Sequence, residues 1–123
     1  MQLIEQDKKT RSDLYGKEKE DRATDFLKKA GYKILERNYK NQIGEIDIIA
    51  YDEKDDRIIF VEVKARKNAR FGYGREAVNE EKLFKITSVA QMYLKKKKLL
   101  NAKMRFDVIE IMGENITHLK AVL

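Results

Sequence analysis

With 123 residues the chain is sized for one domain around one core, and a second core is not expected. A formal charge of +6 and a sequence pI near 9.4 favour a polyanionic partner, nucleic acid ahead of an anionic membrane surface, although a charge run on a helix is most often only a solvated face. The absence of cysteine excludes disulfides and thiolate zinc sites, and no stretch has the apolar length of a signal peptide or a bilayer span, so a cytoplasmic location is expected.

Residues 1–11 carry no apolar pattern and are expected to be flexible. A first helix is predicted from about Ser12 to Ala30, with Ala23, Phe26, Leu27 and Ala30 on one stripe and Gly31 as its stop. Extended backward, the stripe reaches Glu20, which should therefore face inward. A strand follows from about Tyr32 to Arg37, then a loop at Asn38–Gln42. The second strand, after Gly44, contains Ile46-Asp47-Ile48-Ile49-Ala50, and the charged turn Asp52–Asp56 leads to a third strand from Arg57 to Ala65. Both runs are β-branched and apolar, yet Asp47 interrupts the first and Glu62 and Lys64 interrupt the second. Because side chains alternate along a strand, Glu62 and Lys64 must share a face.

The segment Lys67–Ala77 combines Gly72 and Gly74 with Phe71, Tyr73, Arg70 and Arg75 and reads as a mobile basic loop. A second helix is predicted over Val78–Lys98; its i+3 and i+4 stripe of Val78, Lys82, Ile86, Val89 and Tyr93 puts a lysine in an apolar row. Two closing strands, Met104–Met112 and Ile116–Val122, should turn at Gly113-Glu114-Asn115.

A buried charge costs several kcal/mol unless it is paired or coordinates something, so Glu62 and Lys64 need each other or a ligand. Phosphodiester hydrolysis is a chemistry that such a set could serve. It needs a hard cation with oxygen ligands, and Mg²⁺ takes only one or two protein carboxylates while keeping several waters. Asp47 and Glu62 on adjacent strands could supply these, with the Val63 carbonyl between the active-face side chains and Glu20 holding a hydrated or second ion. Lys64 would orient the attacking water or stabilise charge; as a general base it is a poor candidate, because neighbouring carboxylates raise a lysine pKa.

The run Gly44-Glu45-Ile46-Asp47-Ile48-Ile49-Ala50, followed by Phe60-Val61-Glu62-Val63-Lys64-Ala65-Arg66, resembles the D…E-x-K motif of the PD-(D/E)XK, restriction-endonuclease-like superfamily. It is most similar to the YraN-like family of bacterial proteins and more distantly similar to archaeal Holliday junction resolvases. The resemblance extends to Glu20-x-x-Ala23-x-x-Phe26-Leu27, Gly31-Tyr32-x-Ile34-Leu35-x-Arg37-Asn38, Val78-x-x-x-Lys82, Ala90-x-x-Tyr93-Leu94 and Arg105-Phe106-Asp107-Val108. It implies an α/β fold with an αβββαβ core, a mixed central sheet flanked by helices, and a divalent-metal nuclease site. The resemblance further implies Glu20, Asp47, Glu62 and Lys64 as catalytic residues, with Asp47, Glu62, Val63 and Glu20 toward Mg²⁺, for which Mn²⁺ could substitute. Two departures stand out: Lys19 where the family usually has glycine, and Ile46 where the superfamily motif is named for proline.

Bland readings compete at each position. A lone Glu-x-Lys is usually a surface pair; its coincidence with Asp47 and an inward Glu20 is what favours a site. Lys82 could snorkel with its stem on the sheet, or contact phosphate or carboxylate. His118 is expected to decorate the last strand, and Asp107 has Arg105 on its own face as a simple ion partner. Arg66, Lys67, Arg70, Arg75 and Lys82 are the candidate nucleic-acid contacts, with aromatics nearby that could stack on unpaired bases. The expected partner is nucleic acid, DNA before RNA, with no membrane and a homodimer as an open option. Two alternatives to a nuclease are a non-catalytic nucleic-acid binder on the same fold and a structural or partner-binding protein.

Overall fold

The computed structural model describes residues 11–66 and 80–123. The elements run α1 (Arg11–Lys29), β1 (Lys33–Lys40), β2 (Glu45–Asp52), β3 (Arg57–Arg66), α2 (Glu80–Lys96), β4 (Met104–Met112) and β5 (Asn115–Leu119). The predicted loop at Lys67–Ala77 and Val78 lie outside the described residues. The strands form one five-stranded sheet in the order β1-β2-β3-β4-β5. All neighbours are antiparallel except β3 and β4, which are parallel and therefore need the crossover that α2 belongs to. This is the mixed α/β sheet between helices that a restriction-endonuclease-like core requires.

Each face of the sheet is covered by one helix. Ala23 and Leu27 of α1 pack with Ile48, Ala50, Ile59, Val61, Val63, Ile109 and Ile111. On the opposite face Val89, Ala90, Tyr93 and Leu94 of α2 pack with Ile46, Ile49, Ile58 and Phe60. Burial on both sides is why β3 reads as a nearly continuous apolar run rather than an alternating one. Ala30, expected on the α1 stripe, is exposed, because the helix has already ended in a Schellman motif: Gly31 takes φ +96° and the Tyr32 N–H reaches the Leu27 carbonyl at 3.0 Å. The same motif closes α2 without glycine, with Lys98 at φ 60° and Leu99 N–H on the Leu94 carbonyl at 2.7 Å.

Two predicted boundaries move. Asn38–Lys40, expected in a loop, continue β1, since Tyr39 and Lys40 still pair with Ile46 and Glu45; the turn is displaced to Asn41, whose side-chain oxygen accepts the N–H groups of Ile43 and Gly44. β5 ends at Leu119 rather than Val122. Beyond it the backbone turns at Ala121, φ 54°, so that Ala121 and Val122 donate to the Asp107 carboxylate and the Phe106 carbonyl. Among the described residues no helix is long and apolar enough to cross a membrane.

Candidate active site

The ladder between β2 and β3 runs from Asp52↔Arg57 to Ile48↔Val61 and stops there. One step further the Val63 N–H is taken by the Asp47 side chain, Oδ2 at 2.8 Å. The alternation of β2 breaks at the same residue. Ile48 packs against α1 and Ile49 against α2, but Ile46, which alternation would place with Ile48, packs against α2. The two strands thus part where the acidic residues lie. The parting frees Asp47 from the ladder while its carboxylate still satisfies a backbone donor, so the strand end is not left with an orphaned N–H.

Burial gives Asp47 an unusual acidity. Its pKa is pushed up to about 6, first by burial and further by the charges of Glu20 and Glu62; the bond from Val63 and the charge of Lys19 oppose the rise. Glu20 is half-buried on α1, on the side from which it acts on Asp47. Glu62, 19% exposed at its side chain, accepts Lys64 Nζ at 3.2 Å and is also in contact with Lys82 Nζ, both on Oε1. Its second oxygen, Oε2, is buried and has no hydrogen-bond partner.

Lys64 runs against the sequence expectation that neighbouring carboxylates raise its pKa. Burial, with Lys82 adding like charge, holds it below the usual lysine value despite Glu62. Lys82 goes the other way: burial opposes its charge, but its bond to Glu62 and the field of Asp47 raise it. Of the residues picked from sequence, Asp47, Glu62, Lys64 and Lys82 therefore come together, with Glu20 near enough to act electrostatically. Among the described residues no three His, Cys, Asp or Glu side chains are gathered as a ready metal cage.

The remaining positions fall differently. Arg66 lies with its Nε 3.4 Å from Glu110 Oε2, an ion pair whose side chains are 16% and 1% exposed, so its guanidinium is turned to a buried carboxylate. Lys67, Arg70 and Arg75 lie outside the described residues. The Val63 carbonyl accepts Lys19 Nζ at 3.3 Å. Lys19 was noted from sequence only as a departure from the family's glycine, not as a site residue, although its spacing carried a signal: it lies four and eight residues before Ala23 and Leu27, on the inward side of the helix with Glu20. Glu110 was also missed, and it too interrupts an apolar run, Val108-Ile109-Glu110-Ile111.

At the opposite end of β4, Arg105 grips Asp107 through two bonds of 2.9 Å, donates to Tyr32 Oη at 3.2 Å and reaches Asp52 and Asp55. The ion pair expected from sequence is present, but His118 does not merely decorate its strand. Its Nε2 is 2.6 Å from Asp107 Oδ2, and its ring packs edge-on against Phe26 and Tyr32. Burial opposes charge on Asp107, yet His118, Arg105 and the Ala121 N–H hold its carboxyl below the usual range. This network is fully partnered and fastens the chain after β5 to the sheet.

Residues 19–111, from the lysine on the Val63 carbonyl to the end of the β4 core, match the family described as Uncharacterised protein family UPF0102. The chain belongs to the UPF0102 family. It is 48% identical over 108 residues to a UPF0102 protein of Fusobacterium nucleatum, covering 88% of this chain and 89% of that one. It is 44% identical over 107 residues to one from Persephonella marina, covering 87% and 90%. A UPF0102 protein of Clostridioides difficile is 50% identical over 99 residues, covering 79% and 85%. UPF0102 corresponds to the YraN family, so the family resemblance read from the motifs holds.

Proposed function

We propose that this UPF0102 protein is a divalent-metal-dependent nuclease that hydrolyses phosphodiester bonds in DNA. The observation that carries the reading is the parted end of β2 and β3. There a carboxylate with a raised pKa, Asp47, lies beside a glutamate whose Oε2 is buried without a partner. A buried carboxylate oxygen left unpartnered is costly to the fold and fits a cation ligand. The donor set is all oxygen, which suits Mg²⁺, with Mn²⁺ as a substitute. Asp47 and Glu62 would hold the ion and Glu20 a hydrated part of its surroundings; the Val63 carbonyl could join once Lys19 gives way.

When bound, such an ion lowers the pKa of a coordinated water and neutralises charge growing on the phosphate. The chain's own contribution lies in its lysines. Lys64 Nζ stands on the same face as Glu62, 3.2 Å from its Oε1, and in this reading it holds the attacking water. As an ammonium beside the carboxylates it would also stabilise charge growing on the phosphate. Lys82 Nζ, kept charged by its neighbours, supplies a positive group for a phosphate oxygen.

Cleavage of single-stranded, duplex and four-way-junction DNA and of RNA, with Mg²⁺ or Mn²⁺ and with Lys64→Met as control, tests this reading. Metal-dependent cleavage lost in a folded Lys64→Met protein supports it; no cleavage of any substrate sinks it. A second reading, a nucleic-acid binder without turnover, is favoured by one feature: the lysines already occupy oxygens that a cation would need. Salt-dependent binding without cleavage would select it.

A further inference from the structure

A cavity of about 270 Å³ adjoins the candidate site on the α2 face of the sheet. Its interior is hydrocarbon, lined by Phe60, Ile86, Phe106, Val108 and Leu123, and the rings of Phe60 and Phe106 stack at 5.3 Å. Its polar border includes the proposed reaction centre: the carboxylates Glu45, Asp47, Glu62 and Asp107 line it together with Lys82 and Lys85 of α2. Lys85 is exposed, with its ammonium 3.5 Å from Glu81, and stands where the border meets solvent.

Size and charge together narrow the occupant. The volume is just below the range for small-molecule pockets, roughly 300–1,000 Å³, and too small for a helix or strand of another protein. The apolar interior rejects an ion or a phosphate, whereas at the border Lys82 and Lys85 can meet a phosphate beside the carboxylates proposed to hold the metal. A ligand that fits both is a flat, weakly polar ring joined to a phosphodiester, which is a nucleotide. A base still stacked in a duplex cannot enter, because its faces and pairing edge are occupied.

We propose that the cavity receives one unpaired nucleobase of a DNA substrate, and hence that the site acts on single-stranded or unpaired segments in preference to continuous duplex. The placement of the phosphate rests on the nuclease reading above. With hydrocarbon inside, the cavity senses that a base is present rather than which base it is.

The test is binding measured by fluorescence anisotropy in EDTA, so that cleavage plays no part. Three probes are compared: a short single-stranded DNA, the same strand with one abasic position scanned along it, and its duplex; an RNA strand is a fourth arm. Ile86→Trp fills the cavity with bulk. It should weaken single-strand binding by about tenfold or more, the scale of losing one stacked base, and affect the duplex far less. On the wild-type protein at least one abasic position should show a comparable loss. Single-strand affinity unchanged in a folded Ile86→Trp protein overturns the proposal. If that variant does not fold, an abasic scan in which no position costs more than twofold overturns it on the wild type. A strand preference confined to RNA, or a dimer of the wild type abolished by Ile86→Trp, would assign the cavity to another occupant and equally overturn it. Failure of cleavage in the nuclease panel would leave these binding results standing, so the two readings fail separately.

Discussion

Asp47→Asn should make the metal-free protein more stable, and the size of the gain follows from the acidity of Asp47. Its pKa rises from 3.8 in an unfolded chain to about 6 in the fold. At roughly 1.4 kcal/mol per pH unit, holding this carboxylate ionised costs the native state up to about 3 kcal/mol. The sign is fixed by proton binding. Below pH 4 the carboxyl is protonated in both states and costs nothing extra. Between pH 4 and 6 the folded protein keeps a proton that the unfolded chain has lost, so stability falls as pH rises, and above pH 6 the full cost applies. Asparagine carries no charge but can still accept the Val63 N–H; burying its amide recovers only part of the difference, so a gain of about 1–2 kcal/mol is expected at pH 7.5. Urea unfolding in EDTA at pH 4 and 7.5 measures it: the variant should lack the wild-type decline between the two. Mg²⁺ or Mn²⁺ should raise the melting temperature of the wild type, and the same variant should lose that rise. An Asp47→Asn protein no more stable than wild type at pH 7.5 would refute the electrostatic account, and an undiminished metal response would place the ion elsewhere.

Three further outcomes are expected. Lys64→Met should cut metal-dependent cleavage by roughly a hundredfold or more, the scale for removing a charge-stabilising group, while nucleic-acid affinity stays within about a few-fold; wild-type rates in the folded variant would end the assignment. Lys19→Ala should tighten Mg²⁺ binding about five- to tenfold in a melting-temperature titration, since like charges about 4 Å apart cost on the order of 1 kcal/mol even in water; unchanged affinity would show that its ammonium does not compete for the Val63 carbonyl. Asp107→Ala, which takes from Arg105 its two shortest bonds and from His118 and the Ala121 N–H their carboxylate partner, should destabilise the fold by roughly 3–5 kcal/mol in urea unfolding, and because the Asp107 pKa is lowered, its contribution should be present above pH 4 and fade as pH falls below; a loss under about 1 kcal/mol would show that the network is not what fastens the end of the chain.

The order of elements was legible because each is marked by a local rule. The α1 stripe and Gly31 announce a helix and its stop, and the unbroken apolar runs of β2 and β3 announce strands covered on both faces. Asp47, Glu62 and Lys64 were legible for the opposite reason, as charges that such strands do not tolerate without a task. What sequence could not show is where the ladder ends. The period-two rule places Ile46 with Ile48, and only the parting of β2 from β3 at Asp47 turns Ile46 toward α2. Lys64 was misjudged for a related reason: its carboxylate neighbours are visible in the sequence, but its burial and the approach of Lys82 from α2 are tertiary facts, and they win. His118 was placed correctly on its strand, yet its partner Asp107 lies across the ladder between β4 and β5.

The charges around the parted strands also change what a cation would do there. Glu20, Asp47 and Glu62 looked in the sequence like mutually repelling carboxylates awaiting a metal. In the fold three ammonium groups stand among them: Lys19 on the Val63 carbonyl, and Lys64 and Lys82 on Glu62 Oε1. With all six groups ionised the cluster is formally neutral, so the metal-free protein tolerates it, and relief of carboxylate repulsion is a smaller part of metal affinity than the sequence suggested. A divalent ion entering such a cluster leaves it positive unless a proton or a lysine departs. That excess charge is best met by a phosphodiester, whose binding and the ion's should then strengthen each other, as linkage requires. Metal affinity measured with and without a non-cleavable oligonucleotide should therefore differ by about tenfold or more, within the range typical of coupled sites. Equal affinities would mean that the lysines, rather than the substrate, balance the ion.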